Sequence, residues 1–227
     1  MPNITNEIRS ILFKDQDIWL DRTSVDNGYP HTNLTEELIR WAISDKQNIF
    51  WLEIGSMVGG SAILSAEIAK KININIDIIC LDPFTGDVNM WEWEQGLRDQ
   101  SKWQFLCLKN GAPTIRQRFL ANIFDSGFLD CITPIQTTGI VGIKLLKRLH
   151  INKKLSYLPN VIYVDSAHEI GETFLELRNA WDILEEGGAL IGDDLNWRAV
   201  EADVHKFAKS INRPVNIFNN NQWGIRK

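Results

Sequence analysis

An open α/β sheet, Rossmann-like, doubly wound and mostly parallel, with helices on both faces, is the fold class this sequence predicts. Three observations lead there: short apolar runs of strand character, amphipathic helical segments between them, and an acid or glycine where each run ends. At 227 residues and 44% hydrophobic content the chain can bury one such core.

The elements follow in order. Residues 1–47 read as an N-terminal helical cap or lid segment: NEIRSILFKDQDIWL is amphipathic, TSVDNGYPHTN is turn-rich, and LTEELIRWAIS returns apolar residues at Leu34, Leu38, Trp41 and Ala42. Residues 48–227 read as one domain of alternating strands and helices. IFWLEI is a buried strand, SAILSAEIAKKI a helix, and IDIICLD a second strand ending in Asp82, together one βαβ unit. After the aromatic loop PFTGDVNMWEWEQG, a helical region surrounds TIRQRFLANIF, ITPIQT is a short strand, and GIVGIKLLKRLH is another helix. NVIYVDSAH is a buried strand ending in Asp165. The next helix is expected to carry Ile170, Phe174, Leu177, Trp181 and Leu184 on one face and to stop at Gly187-Gly188. GALIGDD is a further strand, Val200, Val204, Phe207 and Ile211 mark another helix, and VNIFNN with QWGIRK forms a C-terminal antiparallel hairpin.

In such sheets ligands bind beyond the carboxyl ends of the strands, where the connectivity reverses. The first of these ends is FWLEIGSMVGGSAI. Its Gly55, Gly59 and Gly60 have the spacing G-x-x-x-G-G, which is neither a dinucleotide fingerprint nor a Walker A loop. Glu53, just before the turn, would repel a pyrophosphate and attract an ammonium group. Asp82, about twenty residues beyond the glycines, stands where an acid can accept the hydroxyls of a ribose. A ligand with a cationic amino-acid end and an adenosine end satisfies both, and S-adenosylmethionine is such a ligand. Taken singly, each motif has a plainer reading: glycines that let a helix pack closely, and an aspartate that caps a turn.

The segments FWLEIGSMVGGSA, CLDPFTGD, VIYVDSAHEIGETFLELRNAWDILEEGGALIGDDL and WRAVEADVHKFA resemble class I S-adenosylmethionine-dependent methyltransferases. They are most similar to the small-molecule O-methyltransferase branch that includes macrocin and aminocoumarin-sugar O-methyltransferases. The resemblance spans about residues 48–227. It implies a seven-stranded sheet with the cofactor across the first two strands. Glu53, Gly55 and Ser56 would meet the methionine end, Asp82 the ribose, and residues 136–138, with Thr138, the adenine side. Gly59, Ser61 and Asp165 complete the expected cofactor-binding set. Two departures stand out: Glu186 occupies a position where proline is usual, and residues 91–103 are individual.

Methyl transfer from a sulfonium needs a nucleophilic oxygen in line with the methyl group, and a metal or a base makes a hydroxyl a better nucleophile. Asp165, Asp193 and Asp194 end neighbouring strands and make a hard oxygen site suited to Mg2+ or another divalent cation. The related sugar O-methyltransferases use such a triad. The alternative is that Asp193-Asp194 begins a turn and caps the following helix. His168, three residues after Asp165, is a candidate base beside Asp165, or else a helix-starting residue bonded to backbone. Some relatives carry an acid two positions after the strand-end aspartate; here that position is Ala167. His205 reads as a surface residue and His150 as a partner of its helix dipole. Tyr29, His31, Trp91, Trp93 and Trp197 are the candidate substrate-binding residues, with packing under long loops as their alternative.

A formal charge of −5 argues against nucleic-acid binding. Three scattered cysteines lack zinc spacing and suit a reducing, cytoplasmic setting. No signal-peptide profile and no membrane-length apolar run is visible, so Asn3 and Asn33 in their Asn-x-Thr contexts are chance matches. The expected activity is metal-assisted O-methylation of a small-molecule hydroxyl, a sugar or phenolic diol. Two rivals remain: an NAD-dependent oxidoreductase, and a methyltransferase-fold binding protein without chemistry. Exposed tryptophans could serve a homo-oligomer interface as well as a pocket.

Overall fold

Strand β1, Asn48–Ile54, stands at the centre of the sheet and is apolar on both faces but for Asn48 at its start and Glu53 near its end. Phe50, Leu52 and Ile54 enter one buried cluster and Ile49 and Trp51 the other, as the two-residue period of a strand requires. The computed structural model describes residues 3–14, 16–23, 32–44, 46–91, 106–166 and 168–227.

Strand β2 (Asn75–Asp82) pairs in parallel on one side of β1, with β3 (Ile132–Gln136) beyond it. On the other side lie β4 (Val161–Val164) and then β5 (Ala189–Gly192), also parallel. The antiparallel hairpin of β6 (Asn216–Phe218) and β7 (Gln222–Arg226) closes the order β3-β2-β1-β4-β5-β7-β6. The expected seven-stranded, mostly parallel sheet with a C-terminal hairpin is therefore the observed one. Pro134 is tolerated in β3 because that strand is an edge with a ladder on one side only. The chain runs outward from β1 to β3 and returns to β4, so the switch point lies between β1 and β4.

Helices cover both faces. Helices α1 (Ile4–Leu12), α6 (Gly139–Ile151), α7 (Glu172–Ile183) and α8 (Arg198–Ser210) pack Ile8, Ile143, Leu177 and Phe207 against one face. Helices α2 (Glu36–Ile43), α3 (Gly60–Lys71) and α5 (Ile115–Ser126) pack Leu38, Ala62 and Phe119 against the other. A single turn, α4 (Val88–Trp91), lies in the loop after β2. The two N-terminal helices thus sit on opposite faces. Helix α1 is tied to the outer strands: the Ile4 N–H donates to Asp77 at 3.0 Å, and Arg9 Nε donates to Thr133 Oγ1 at 2.8 Å. Helix α2 is tied to the hairpin through Thr35 Oγ1, which donates to Gln222 Oε1 at 2.7 Å. Among the described residues no helix is long and apolar enough to cross a membrane.

One helix begins later than its apolar spacing suggests. Ile170 precedes α7 and is 85% exposed, because Gly171 takes φ +90° and starts the helix at Glu172. The carboxylate of Asp203, on α8, accepts the backbone N–H groups of Gly171 at 2.7 Å and Phe174 at 3.1 Å. A neighbouring helix therefore supplies the cap that the local sequence lacks.

Gly55 carries the tightest constraint at the switch point. It has φ +86°, and a Cβ there would stand 2.0 Å from the carbonyl oxygen of Asp165. No rotamer relieves a clash with backbone. Gly55→Ala is expected to destabilise the fold by more than ~2 kcal/mol, from left-handed strain plus forced separation of β1 from β4. Urea unfolding of the variant against the parent chain measures this, and an unchanged midpoint would mean that the two strand ends are not held together there.

Candidate active site

The ends of β1, β2 and β4 and the helix start after β3 surround a cavity of about 610 Å³, whose walls include Gly55, Met57, Asp82, Thr138, Asp165 and His168. That volume suits a drug-sized ligand with a second small molecule beside it. Backbone geometry shapes the β1 side. Gly55 and Gly59 both have positive φ, so the chain turns sharply from strand into α3. Asp82 fixes this turn: its Oδ2 accepts the N–H groups of Ser56 at 2.8 Å and Met57 at 2.7 Å, and its Oδ1 accepts that of Phe84. Burial raises the Asp82 pKa and these donors oppose the rise. Asp82 has the place that the plainer expectation gave it. It caps the turn, and Oδ1, with one donor, keeps lone-pair capacity on a residue that lines the cavity.

Glu53 lies one residue behind the wall made by Ile54 and Gly55 and is fully buried. Ser61, on the first turn of α3, donates to its Oε1 at 2.8 Å, while its Oε2 has no hydrogen-bond partner. The hydroxyl of Ser56 is likewise buried and makes no well-formed hydrogen bond, though it lies near enough to Glu53 to oppose the rise of its carboxyl. Burial pushes the Glu53 carboxyl up to about 8, and the nearby charge of Asp165 adds to this. An orphaned carboxylate oxygen in a dry site is an acceptor suited to a cationic donor. Across the cavity, Thr138 caps α6, its Oγ1 accepting the Val141 N–H at 3.4 Å.

The acidic strand ends form the second half of the site. Asp165, Asp194 and His168 bring one ligand atom each to within 4.8 Å of one another, a group able to hold a metal ion. Tyr163 donates to Asp165 Oδ2 at 2.9 Å. Burial, then the charges of Asp194 and Asp193, raise the Asp165 carboxyl to about 7. Asp193 turns the other way: its Oδ1 accepts Asn221 Nδ2 and, at 2.8 Å, the Asp194 N–H. Its carbonyl takes Trp223 Nε1 at 3.1 Å, and burial raises its carboxyl to about 6. Asp194 has φ +61°, a left-handed conformation that carries its side chain toward His168.

His168 bridges the site. Its Nδ1 is 2.6 Å from Asp87 Oδ2 and its Nε2 is 2.7 Å from Asp194 Oδ2. These two carboxylates hold the imidazole charged up to about 10. At neutral pH the cluster therefore offers Asp165 near its titration point and His168 as a hydrogen-bond donor. Trp197 packs its ring 4.9 Å from the His168 ring and is 38% exposed. Trp91 is 44% exposed, with its Nε1 donating to the Thr85 carbonyl at 2.9 Å. Tyr29, His31 and Trp93 lie outside the described residues, as does Ala167. His205 is exposed on α8, and His150 Nδ1 faces the Leu155 carbonyl at 3.1 Å.

Two participants stand outside the candidate residues read from the sequence, although both fall in the segments that carry the resemblance. Asp87 sits in the aromatic loop and meets His168 across 81 residues of chain. Glu176, one turn into α7, accepts from Ser166 and lines the cavity with a carboxyl raised by burial. Neither ends a strand, and only the closed fold makes them neighbours of the acids that do.

No protein-family model matches the chain, and no curated protein matches it. Solved structures match in fold. The O-methyltransferase NovP is 15% identical with a TM-score of 0.55, over 84% of this chain and 78% of its own. TomG from Streptomyces achromogenes, an O-methyltransferase of tomaymycin synthesis solved with S-adenosylmethionine, is 11% identical with a TM-score of 0.55, over 99% and 96%. A precorrin-8w decarboxylase from Methanobacterium thermoautotrophicum is 13% identical with a TM-score of 0.56, over 91% and 96%. At these identities the likeness is one of fold alone.

Glu53 gives the site a pH signature. Its folded-state carboxyl titrates at about 8 against an ordinary 4.5, so the folded chain holds the proton more tightly than the unfolded one. Stability from this group is complete below about 4.5 and declines as pH rises through about 8. Glu53→Gln is expected to remove that decline, leaving the ligand-free variant more stable than the parent at pH 8.5 by on the order of a few kcal/mol. At pH 4.5 the two should be nearly equal. Urea unfolding at both pH values checks the sign.

Proposed function

We propose that the protein is an S-adenosylmethionine-dependent O-methyltransferase that acts, with a divalent cation, on a small-molecule hydroxyl such as that of a sugar or phenolic diol. One observation carries the reading: a fully buried carboxyl, Glu53, with an oxygen that makes no well-formed hydrogen bond among the described residues, behind a glycine turn that opens on a cavity. The ammonium of the cofactor's methionine end is the partner such an oxygen lacks, and Ser61 orients the carboxylate toward it. Gly55, Ser56 and Gly59 let the backbone approach the methionine moiety, Asp82 accepts from the ribose, and Thr138 borders the adenine side. NovP and TomG, both O-methyltransferases by name, support the same assignment through their shared fold.

The acceptor binds where Asp165, His168 and Asp194 converge. The proposed ion ligands are Asp165 and Asp194, while Asp193, the third of the expected triad, holds the turn behind them. A cation held there would lower the pKa of a coordinated hydroxyl. This chain's own groups hold the hydroxyl in line with the methyl group, and with Asp165 engaged as a ligand the hydroxyl proton would pass to water. Trp91 and Trp197, with Tyr29, His31 and Trp93, are the proposed walls of the acceptor pocket. We place the enzyme in the cytoplasm.

Two measurements test this. Calorimetry should show that S-adenosylmethionine and S-adenosylhomocysteine bind while NADH does not, and that Glu53→Gln weakens the adenosyl ligands about 10–100-fold, the value of a charge-assisted hydrogen bond. NADH binding in their place would convert the protein into an oxidoreductase. Separately, turnover on a panel of sugar and catechol acceptors should vanish after dialysis against a strong chelator and return with added divalent ion. Turnover that survives chelation removes the cation from the mechanism.

A further inference from the structure

We propose that His168 is itself a metal ligand, through Nε2, in a carboxylate–histidine–metal arrangement with Asp87 as its orienting partner, and that the site selects a first-row transition ion such as Mn2+ over Mg2+. The proposal deepens the cation-assisted reading above by naming the ion class and the ligand set.

Geometry carries it. Two atoms bound to one ion at about 2.0–2.2 Å stand no more than about 4.4 Å apart; the donor atoms of Asp165, His168 and Asp194 lie within 4.8 Å of one another, so small shifts close the set. Nε2 faces Asp194 Oδ2 at 2.7 Å, and an ion entering between them displaces the Nε2 proton to water as the two groups separate. The outer groups are in place as well. His168 Nδ1 bonds to Asp87 Oδ2 at 2.6 Å, the contact that commonly fixes the tautomer and ring plane of a ligating histidine. Asp165 has its own outer partner in Tyr163 Oη, at 2.9 Å. Asp193, the third member of the all-carboxylate triad expected from sequence, has its Oδ1 engaged by Asn221 and by the Asp194 N–H. The donor set that converges is two carboxylates and an imidazole. Mg2+ favours oxygen ligands and near-ideal octahedral geometry, whereas an imidazole nitrogen suits transition ions.

The test uses the whole chain, stripped of metal by a chelator. Mn2+ titration followed by electron paramagnetic resonance gives affinity from the loss of the free-ion signal. Pulsed measurement of the bound ion reports any coordinated nitrogen. The expected results are a 14N modulation in the parent chain and Mn2+ binding at least ~10-fold tighter than Mg2+ in competition. His168→Gln should abolish the modulation and weaken Mn2+ about 10–100-fold while changing Mg2+ far less. Asp87→Asn should weaken Mn2+ by a similar factor and keep the modulation, because the ligand itself remains. Bound Mn2+ without nitrogen modulation in the parent chain, equal losses of Mn2+ and Mg2+ in His168→Gln, or no depletion of the signal at millimolar metal would each overturn the proposal. Thermal melts of the metal-free variants show whether they fold, and the parent-chain spectrum stands without them. Calorimetry with S-adenosylhomocysteine on the same samples separates the two readings. Cofactor binding without nitrogen coupling overturns the metal assignment alone, and nitrogen coupling without cofactor binding overturns the methyltransferase reading alone.

Discussion

The contact of Gly55 with the backbone of Asp165 is the constraint on which the site depends. A hydrogen in place of a side chain lets the turn after β1 lie against the carbonyl of Asp165, where a Cβ would be 2.0 Å away. One side of that contact carries Glu53, the glycine turn and Asp82, which clamps the turn with backbone hydrogen bonds. Everything beyond it belongs to the acid cluster, starting with Asp165. Bond distances for methyl transfer tolerate little slack, so two half-sites joined by a backbone-to-backbone contact are better positioned than two joined by flexible side chains. The central place of β1 serves the same end, since it pairs with β2 on one side and β4 on the other.

The second constraint is electrostatic. Glu53, Asp82, Asp165 and Asp193 all have carboxyls raised by burial, and Asp165 feels two further aspartates. Grouping acids in a dry region costs stability, and a fold selected only for stability would replace them with apolar residues. Such perturbed groups at strand ends facing a cavity are the mark of a functional site. Within the cluster the protein supplies one positive charge, His168, set between Asp87 and Asp194. Asp165 has a hydrogen-bond donor in Tyr163 but no cation of its own in direct contact, so a cationic ligand on that side would relieve repulsion that the chain leaves standing.

Much of this was legible in the sequence because strand ends are local features. Apolar runs located β1, β2, β4 and β5, and with them Glu53, Asp82, Asp165 and the Asp193-Asp194 pair. What was illegible depends on distant pairings. Asp87 has no periodic signature, yet it orients His168 from a loop on the far side of β1. Ile170 fits a helical stripe by spacing, but Asp203 of α8 caps α7 two residues later and leaves Ile170 in solvent. Glu176 reads as the polar face of an amphipathic helix and is instead turned onto Ser166 in the cavity wall. In each case a hydrogen bond between elements overrides a local pattern.

The Asp193-Asp194 doublet shows why spacing alone misleads about ligands. Successive residues of an extended strand point to opposite sides, so two adjacent acids cannot both face one cavity while the strand continues. Here β5 ends at Gly192, and the chain must bend within the doublet. Asp193 stays in line and is absorbed by the C-terminal hairpin: Asn221 takes its side chain and Trp223 its carbonyl. Its Oδ1 also accepts the Asp194 N–H, which supports the left-handed turn at φ +61° and swings Asp194 toward His168. The two acids thus do different work. One is a hinge pin set by the antiparallel hairpin, and the other is the group it aims. The hairpin, far from the glycine turn in sequence, fixes the direction of the last acid in the cluster, so the antiparallel end of the sheet shapes the acid cluster as well as the core.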